Sequence, residues 1–140
     1  MDYSWIFYAF LSALFAALTT ILVKLGIKDV NSTLATAIRT IVVLVMSWAM
    51  VFISGEQKGI QNLTTNNLVF LGLSGITTGL SWLMYYQALK IGEVAKVVAI
   101  DKLSIVLVLI MAFVFIKEPA TLKSIIGSVL ITAGTFVMIL

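Results

Sequence analysis

The chain has 140 residues, 61% hydrophobic and only 11% charged, with mean hydropathy +1.16 and formal net charge +3. Soluble domains run near half apolar and a quarter charged, so a water-soluble fold is excluded: it has no place to hide this much apolar surface. With no cysteine and no histidine, disulfides, thiolate metal sites and the common nucleophile–base dyads are excluded too, so no metal, cofactor or catalytic residue is expected. The excess of lysine suits loops beside anionic lipid rather than nucleic acid.

A helix needs about 20 apolar residues to cross the hydrocarbon core, and runs of that length are far too long for barrel strands. The first run covers about residues 5–25. It follows Met1-Asp2-Tyr3-Ser4, which lacks the basic start of a secretory signal, and it is too long for a signal's apolar region. Tyr3, Trp5 and Tyr8 sit where an aromatic belt is expected, and Ser12, Ala16 and Thr19 form a small-residue stripe. The second run covers about residues 33–53, with Asn31 and Ser32 as N-caps, Arg39 about two turns in, and Trp48 in belt or core. Ser54 to Asn66, with Gly55 and Gly59, reads as a surface loop.

The third run, about residues 67–89, is the most readable. Gly72, Gly75, Gly79, Trp82 and Tyr86 recur at helical spacing and share a face. Ser74, Thr78, Ser81 and Tyr85 line the adjoining face, and Leu73, Ile76, Leu80 and Leu83 are expected toward lipid. Gly75 and Gly79 form a GxxxG pair, which lets two backbones approach closely, either within the chain or between copies. The fourth run covers about residues 97–116 and opens on Asp101 and Lys102. The only proline, Pro119, sits in the short link to the fifth run, about residues 122–140. There Ser124, Gly127, Ser128, Gly134 and Thr135 gather on one side, with Gly127 and Gly134 as packing positions. The expected fold is an all-α membrane protein: one domain, residues 1–140, of five transmembrane helices.

Ionisable residues inside a membrane are functional candidates by default. Arg39, Asp101 and Lys102 lie near the same end of their spans. Neighbours on a helix do not face each other, so Asp101 is expected to pair with Arg39 across helices rather than with Lys102. Trp82, Tyr85 and Tyr86 join these three as candidate substrate-binding or gating residues; the belt is the competing reading for the aromatics.

An odd number of crossings puts the termini on opposite sides of the bilayer. The N-terminal side carries Lys58, Lys117 and Lys123; the other carries Lys24, Lys28, Lys90 and Lys96. The positive-inside rule gives the second side to the cytoplasm, by a margin thin enough to suit insertion in both orientations as well.

The order of these features resembles one repeat of the EamA-like branch of the drug/metabolite transporter superfamily. The resemblance rests on Ala16 to Lys24, Thr36-Ala37-Ile38-Arg39, Leu83-Met84-Tyr85-Tyr86-Gln87-Ala88-Leu89, Ile100-Asp101-Lys102-Leu103-Ser104, Lys117-Glu118-Pro119 and the spacing Gly127 to Gly134. Most members of that branch carry two inverted five-helix repeats; this chain is similar to the short, single-repeat bacterial and archaeal members. The related small multidrug-resistance family works as antiparallel dimers and uses a glutamate in its first span. This sequence has no acid between Asp2 and Asp29, so that proton-coupling position is not matched.

The resemblance implies a secondary transporter of small metabolites or drugs in the plasma or inner membrane. It implies a homodimer, inverted when copies insert both ways, whose partners are a second copy, the bilayer and a small-molecule substrate. Two other readings stand beside it: a non-transporting subunit that stabilises a larger complex, and half of a heterodimeric transporter. The lysine balance is directly testable. Reporters fused after Leu140 are expected to show both cytoplasmic and external populations, and moving two lysines between sides should shift their ratio. A single orientation that lysines cannot move would contradict the balanced reading.

Overall fold

The computed structural model describes residues 3–140; Met1 and Asp2, at the start of the first expected span, lie outside the described residues. Six α-helices appear: α1 Ser4–Gly26, α2 Ser32–Ser54, α3 Thr65–Ile91, α4 Val94–Asp101, α5 Ser104–Met111 and α6 Leu122–Ile139. No strand occurs among the described residues. Counting α4, α5 and the turn after them as one span, Val94–Ile116, five helices are long and apolar enough to cross a membrane. The expected spans are all found, each extended by a residue or a few at its ends except the last, which stops at Ile139.

Local chemistry explains the ends. Asn31 is the N-cap of α2, its side-chain oxygen accepting from the backbone N–H of Thr33 and Leu34 at 2.8 and 3.3 Å. That satisfies two donors which the first helical turn leaves unpaired. Gly55 closes α2 with φ 73°, a left-handed cap that glycine adopts without a Cβ penalty. Thr121 caps α6 by accepting from the Ser124 N–H. The segment read as loop holds a turn of 3-10 helix, Glu56–Asn62; short 3-10 turns are frequent connectors.

The fourth span departs from the expected single helix. Its α-helical ladder stops at Asp101, and Leu103 bonds back three residues to Ile100, a tighter turn than the α-helix makes. The helix resumes at Ser104 and ends in a π-helical turn, Ala112–Ile116, followed by Lys117 at φ 60°.

The chain divides into two units, residues 1–90 and 91–140. In the first, the core lies where the second half of α3 meets α1, the 27–31 link and the start of α2. Ile27, Tyr86 and Leu89 are fully buried there, with Thr20, Ser32 and Thr36 beside them. In the second, Ala99 of α4 and Thr135 of α6 are buried, and the Thr135 hydroxyl donates to the Ala99 carbonyl at 3.1 Å. At most 6% of each span's most apolar stretch is buried within the chain. Hydroxyls on the uncovered faces bond to carbonyls of their own helix, as Ser47 does to Val43 and Thr78 to Ser74, both at 2.8 Å. Polar side chains on a lipid-facing helix are thereby satisfied without a partner helix.

The Asn31 cap is a discrete contribution. Asn31→Ala is expected to lower stability in detergent by about 1 kcal/mol, and Asn31→Asp to retain most of it. Equal unfolding midpoints for all three proteins would show that the cap contributes nothing.

Candidate functional site

The polar contacts of the first unit converge on one stretch of α3, Trp82 to Lys90. The Tyr85 hydroxyl meets the Thr20 hydroxyl of α1 at 2.9 Å, and Thr20 also donates to the Ala16 carbonyl. Ser32 donates to the Gln87 side-chain oxygen at 2.5 Å. Lys24 donates to the Leu89 carbonyl at 2.6 Å, and Lys90 to the Val30 carbonyl at 2.8 Å. Two lysines thus tie the last turns of α3 to its neighbours, and both charges complement a helix C-terminus, α1's for Lys24 and α3's for Lys90.

Arg39 stands at the centre of the candidate site. At 1.5 Å per residue it lies about 10 Å along α2 from Ser32. Its guanidinium donates to the Tyr86 hydroxyl and lies over two aromatic rings, 4.6 Å from the Trp82 centroid and 5.4 Å from that of Tyr86. A planar guanidinium is suited to this: it stacks on a ring face while its edge donates. Trp82 and Tyr86 are one turn apart, so a single face of α3 supplies both rings. Beside them an open groove of about 300 Å³ runs along α2, lined by Thr40, Val43, Leu44, Ser47, Trp48 and Val51, with Trp82 as its α3 wall.

The structure therefore brings Arg39, Trp82 and Tyr86 together, with Tyr85 bonded to α1 beside them. Within its own unit Arg39 is held by Tyr86 and Trp82. In the other unit the Asp101 carboxylate lies 3.5 Å from the Lys102 ammonium, which corrects the expectation that these neighbours do not pair. The rule against neighbouring partners holds on a regular helix; here the α-helix ends at Asp101, and the flexible lysine stem folds back across the tight turn. Both side chains are about half exposed.

A methyl group added to Gly72, Gly75, Gly79, Gly127 or Gly134 would meet no neighbouring atom within 4 Å, so the backbone approach expected within the chain is not made at these positions. In α3 the face they share with Trp82 and Tyr86 is exposed at Gly72 and Gly75 and covered from Gly79 onward. In α6 the covered face runs through Ser124, Gly127, Ser128, Thr132 and Thr135, with Gly134 exposed. The stripe read in α1 is out by one residue: Thr20, not Thr19, is the buried threonine. Thr20, Ser32, Thr36 and Gln87 were missed as site residues. Their signal was available: a polar side chain inside an apolar run needs a partner, which here is another polar side chain of the same unit or a carbonyl one turn back.

The second unit holds a smaller cleft of about 210 Å³, lined by Phe113, Glu118, Pro119, Ser124 and Ser128 among others.

The signature of the EamA-like transporter family matches residues 3–140. A Sinorhizobium protein named as an uncharacterized transporter in the cobO 3′ region is 43% identical over 138 residues, covering 99% of this chain and 98% of that protein. No solved structure matches.

The contacts of Arg39 separate by mutation. Tyr86→Phe is expected to cost about 1.5–3 kcal/mol, the range for a hydrogen bond to a charged group, and Trp82→Leu about 0.5–2 kcal/mol. Both costs should shrink in an Arg39→Gln background when unfolding is followed by circular dichroism. Undiminished costs there would mean that neither ring acts through the guanidinium.

Proposed function

The chain belongs to the EamA-like transporter family, and on that premise we propose that it is a secondary transporter of small metabolites or drugs, working as an inverted homodimer in the cell membrane. The observation that carries this reading is Arg39, a cation held about two turns inside a span by aromatic rings and a tyrosine hydroxyl, stacked on the tryptophan that walls a neighbouring groove. A charge at that depth is costly, and such residues line substrate paths in membrane proteins. In this reading Arg39, Trp82 and Tyr86 contact substrate and Tyr85 holds α3 to α1. Asp101 and Lys102, at the break in the fourth span, are gating residues, since interrupted helices accompany transport sites. The protein's action is transport, not catalysis.

The dimer follows from helix number and surface. Five helices are few to enclose a site that alternates its access, and inverted repeats are the common solution. The stretch Gly72, Gly75 and Gly79, where an added methyl group meets no neighbour, suits close approach of a helix from a second copy. Because a side chain at Gly79 meets nothing within the chain, Gly79→Leu is expected to leave helicity unchanged and shift the protein toward monomer in mass photometry. Leu80→Ile should do neither, and a Gly79→Leu protein as dimeric as wild type would remove α3 from the interface.

Transport itself is tested with the purified protein alone in liposomes, by uptake from a labelled panel of amino acids, quaternary amines and organic acids. Flux that is lost on Arg39→Gln supports the reading. No flux of any compound from a folded protein would favour a subunit that works only with a partner.

A further inference from the structure

We propose that the groove beside Arg39, walled by the Trp82 on which the guanidinium stacks, binds a monoanionic amphiphile, its acidic group on the guanidinium and its apolar body between α2 and Trp82. This deepens the transport reading and rests on it for the fate of the ligand, not for its binding.

The argument starts from charge. A guanidinium brings one full positive charge and five N–H donors in a plane. Among the described residues of its unit, Arg39 donates to one acceptor, the Tyr86 hydroxyl, and stacks on Trp82 and Tyr86. All of these partners are neutral. The rings stabilise the cation through their quadrupoles but bring no negative charge, and no carboxylate among the described residues of this unit pairs with it. The unit's tethering lysines differ: Lys24 and Lys90 are placed at helix ends, near the interface. Arg39 is the cation set deep in a span.

Shape gives the other half. The residues that continue from Arg39 along α2 are Thr40, Val43, Leu44, Ser47, Trp48 and Val51, successive members of one helical stripe. Apart from two hydroxyls they are apolar, and Ser47 and Thr40 already donate to carbonyls of their own helix at 2.8 Å. Trp82 belongs to both parts: it carries the guanidinium and walls the groove. At about 300 Å³ the groove stands at the small end of ligand sites, which suits one ring with a short chain. Its wall offers no second charge, and one cation neutralises one anion. A dianion would keep an unpaired charge in an apolar site, and a cation would meet like charge; both are penalised where water is scarce. A carboxylate matches the planar fork of arginine in two parallel hydrogen bonds.

The same chemistry has two sources, a free organic acid and an anionic phospholipid. The experiment separates them. A protein with Trp5→Phe and Trp48→Phe keeps Trp82 as its one tryptophan and reports from the site. In nanodiscs of neutral phosphatidylcholine, 3-phenylpropionate should change Trp82 fluorescence saturably, whereas uncharged 3-phenylpropionamide should bind about 10- to 100-fold more weakly, the share of a charge-assisted hydrogen bond. Arg39→Gln should abolish the preference, and Arg39→Lys, which keeps the charge but not the fork, should retain part of it. Fluorescence already shifted in phosphatidylglycerol nanodiscs, and insensitive there to added acid, would support the anion site and assign it to lipid. Equal affinity for acid and amide in the single-tryptophan protein that keeps Arg39 overturns the proposal whether or not the Arg39 variants fold. Flux in liposomes answers separately: acid binding without flux would fail the transport reading alone, and flux of neutral or cationic compounds without acid preference would fail this proposal alone.

Discussion

Hydrogen bonds from polar side chains to the last three turns of α3 hold the first unit together. Apolar contact does little of this work, because in lipid a leucine gains nothing by exchanging an acyl chain for another leucine. A polar group without a partner loses heavily in the same setting. So the few polar side chains decide which helices meet. Thr20, Lys24 and Ser32, with the carbonyl of Val30, reach Tyr85, Leu89, Gln87 and Lys90. Ile27, Tyr86 and Leu89 become buried where these bonds close. Arg39 is positioned by the same closure, since the face of α3 that turns Tyr86 inward also turns Trp82 beneath the guanidinium.

This division explains the bare first half of α3. From Thr65 to about Ser81 the helix has no tether, and its hydroxyls at Thr77 and Thr78 bond to its own carbonyls. The glycines there are free of neighbours. The proposed second copy has a surface to occupy in this stretch, and lipid is the alternative occupant. The substrate proposal and the dimer proposal thus concern the two halves of one helix.

Much of the fold was legible because hydropathy and helix length are direct readings of bilayer thickness. The caps at Asn31 and Gly55 follow from local chemistry. The shared face of Trp82 and Tyr86 follows from 3.6-residue periodicity. Three features were not legible. The break at Asp101–Leu103 has no proline or glycine to announce it. The choice of Thr20 over Thr19 turns the α1 face by one residue, which an almost wholly apolar helix does not disclose. The partners of Arg39 within its own unit were not named in advance, because an acid is the usual compensation for a cation, whereas this unit supplies aromatic faces and a phenol. The sequence contained those rings two turns from the end of α3, but periodicity alone does not say which helix they meet.

The central functional claim is that two copies in opposite orientation form the working unit. Since the chain has no cysteine, it can be tested with two singly substituted, differently tagged versions in one membrane, Glu56→Cys and Asp29→Cys. These positions lie on opposite sides of the bilayer within one copy, and a short bis-maleimide cannot span the hydrocarbon core of about 30 Å. An inverted pair places residue 56 of one copy on the same side as residue 29 of the other, so cross-links between the two tags are expected and 56-to-56 cross-links are not. Abundant 56-to-56 and 29-to-29 products without the mixed one would contradict the account and establish a parallel pair.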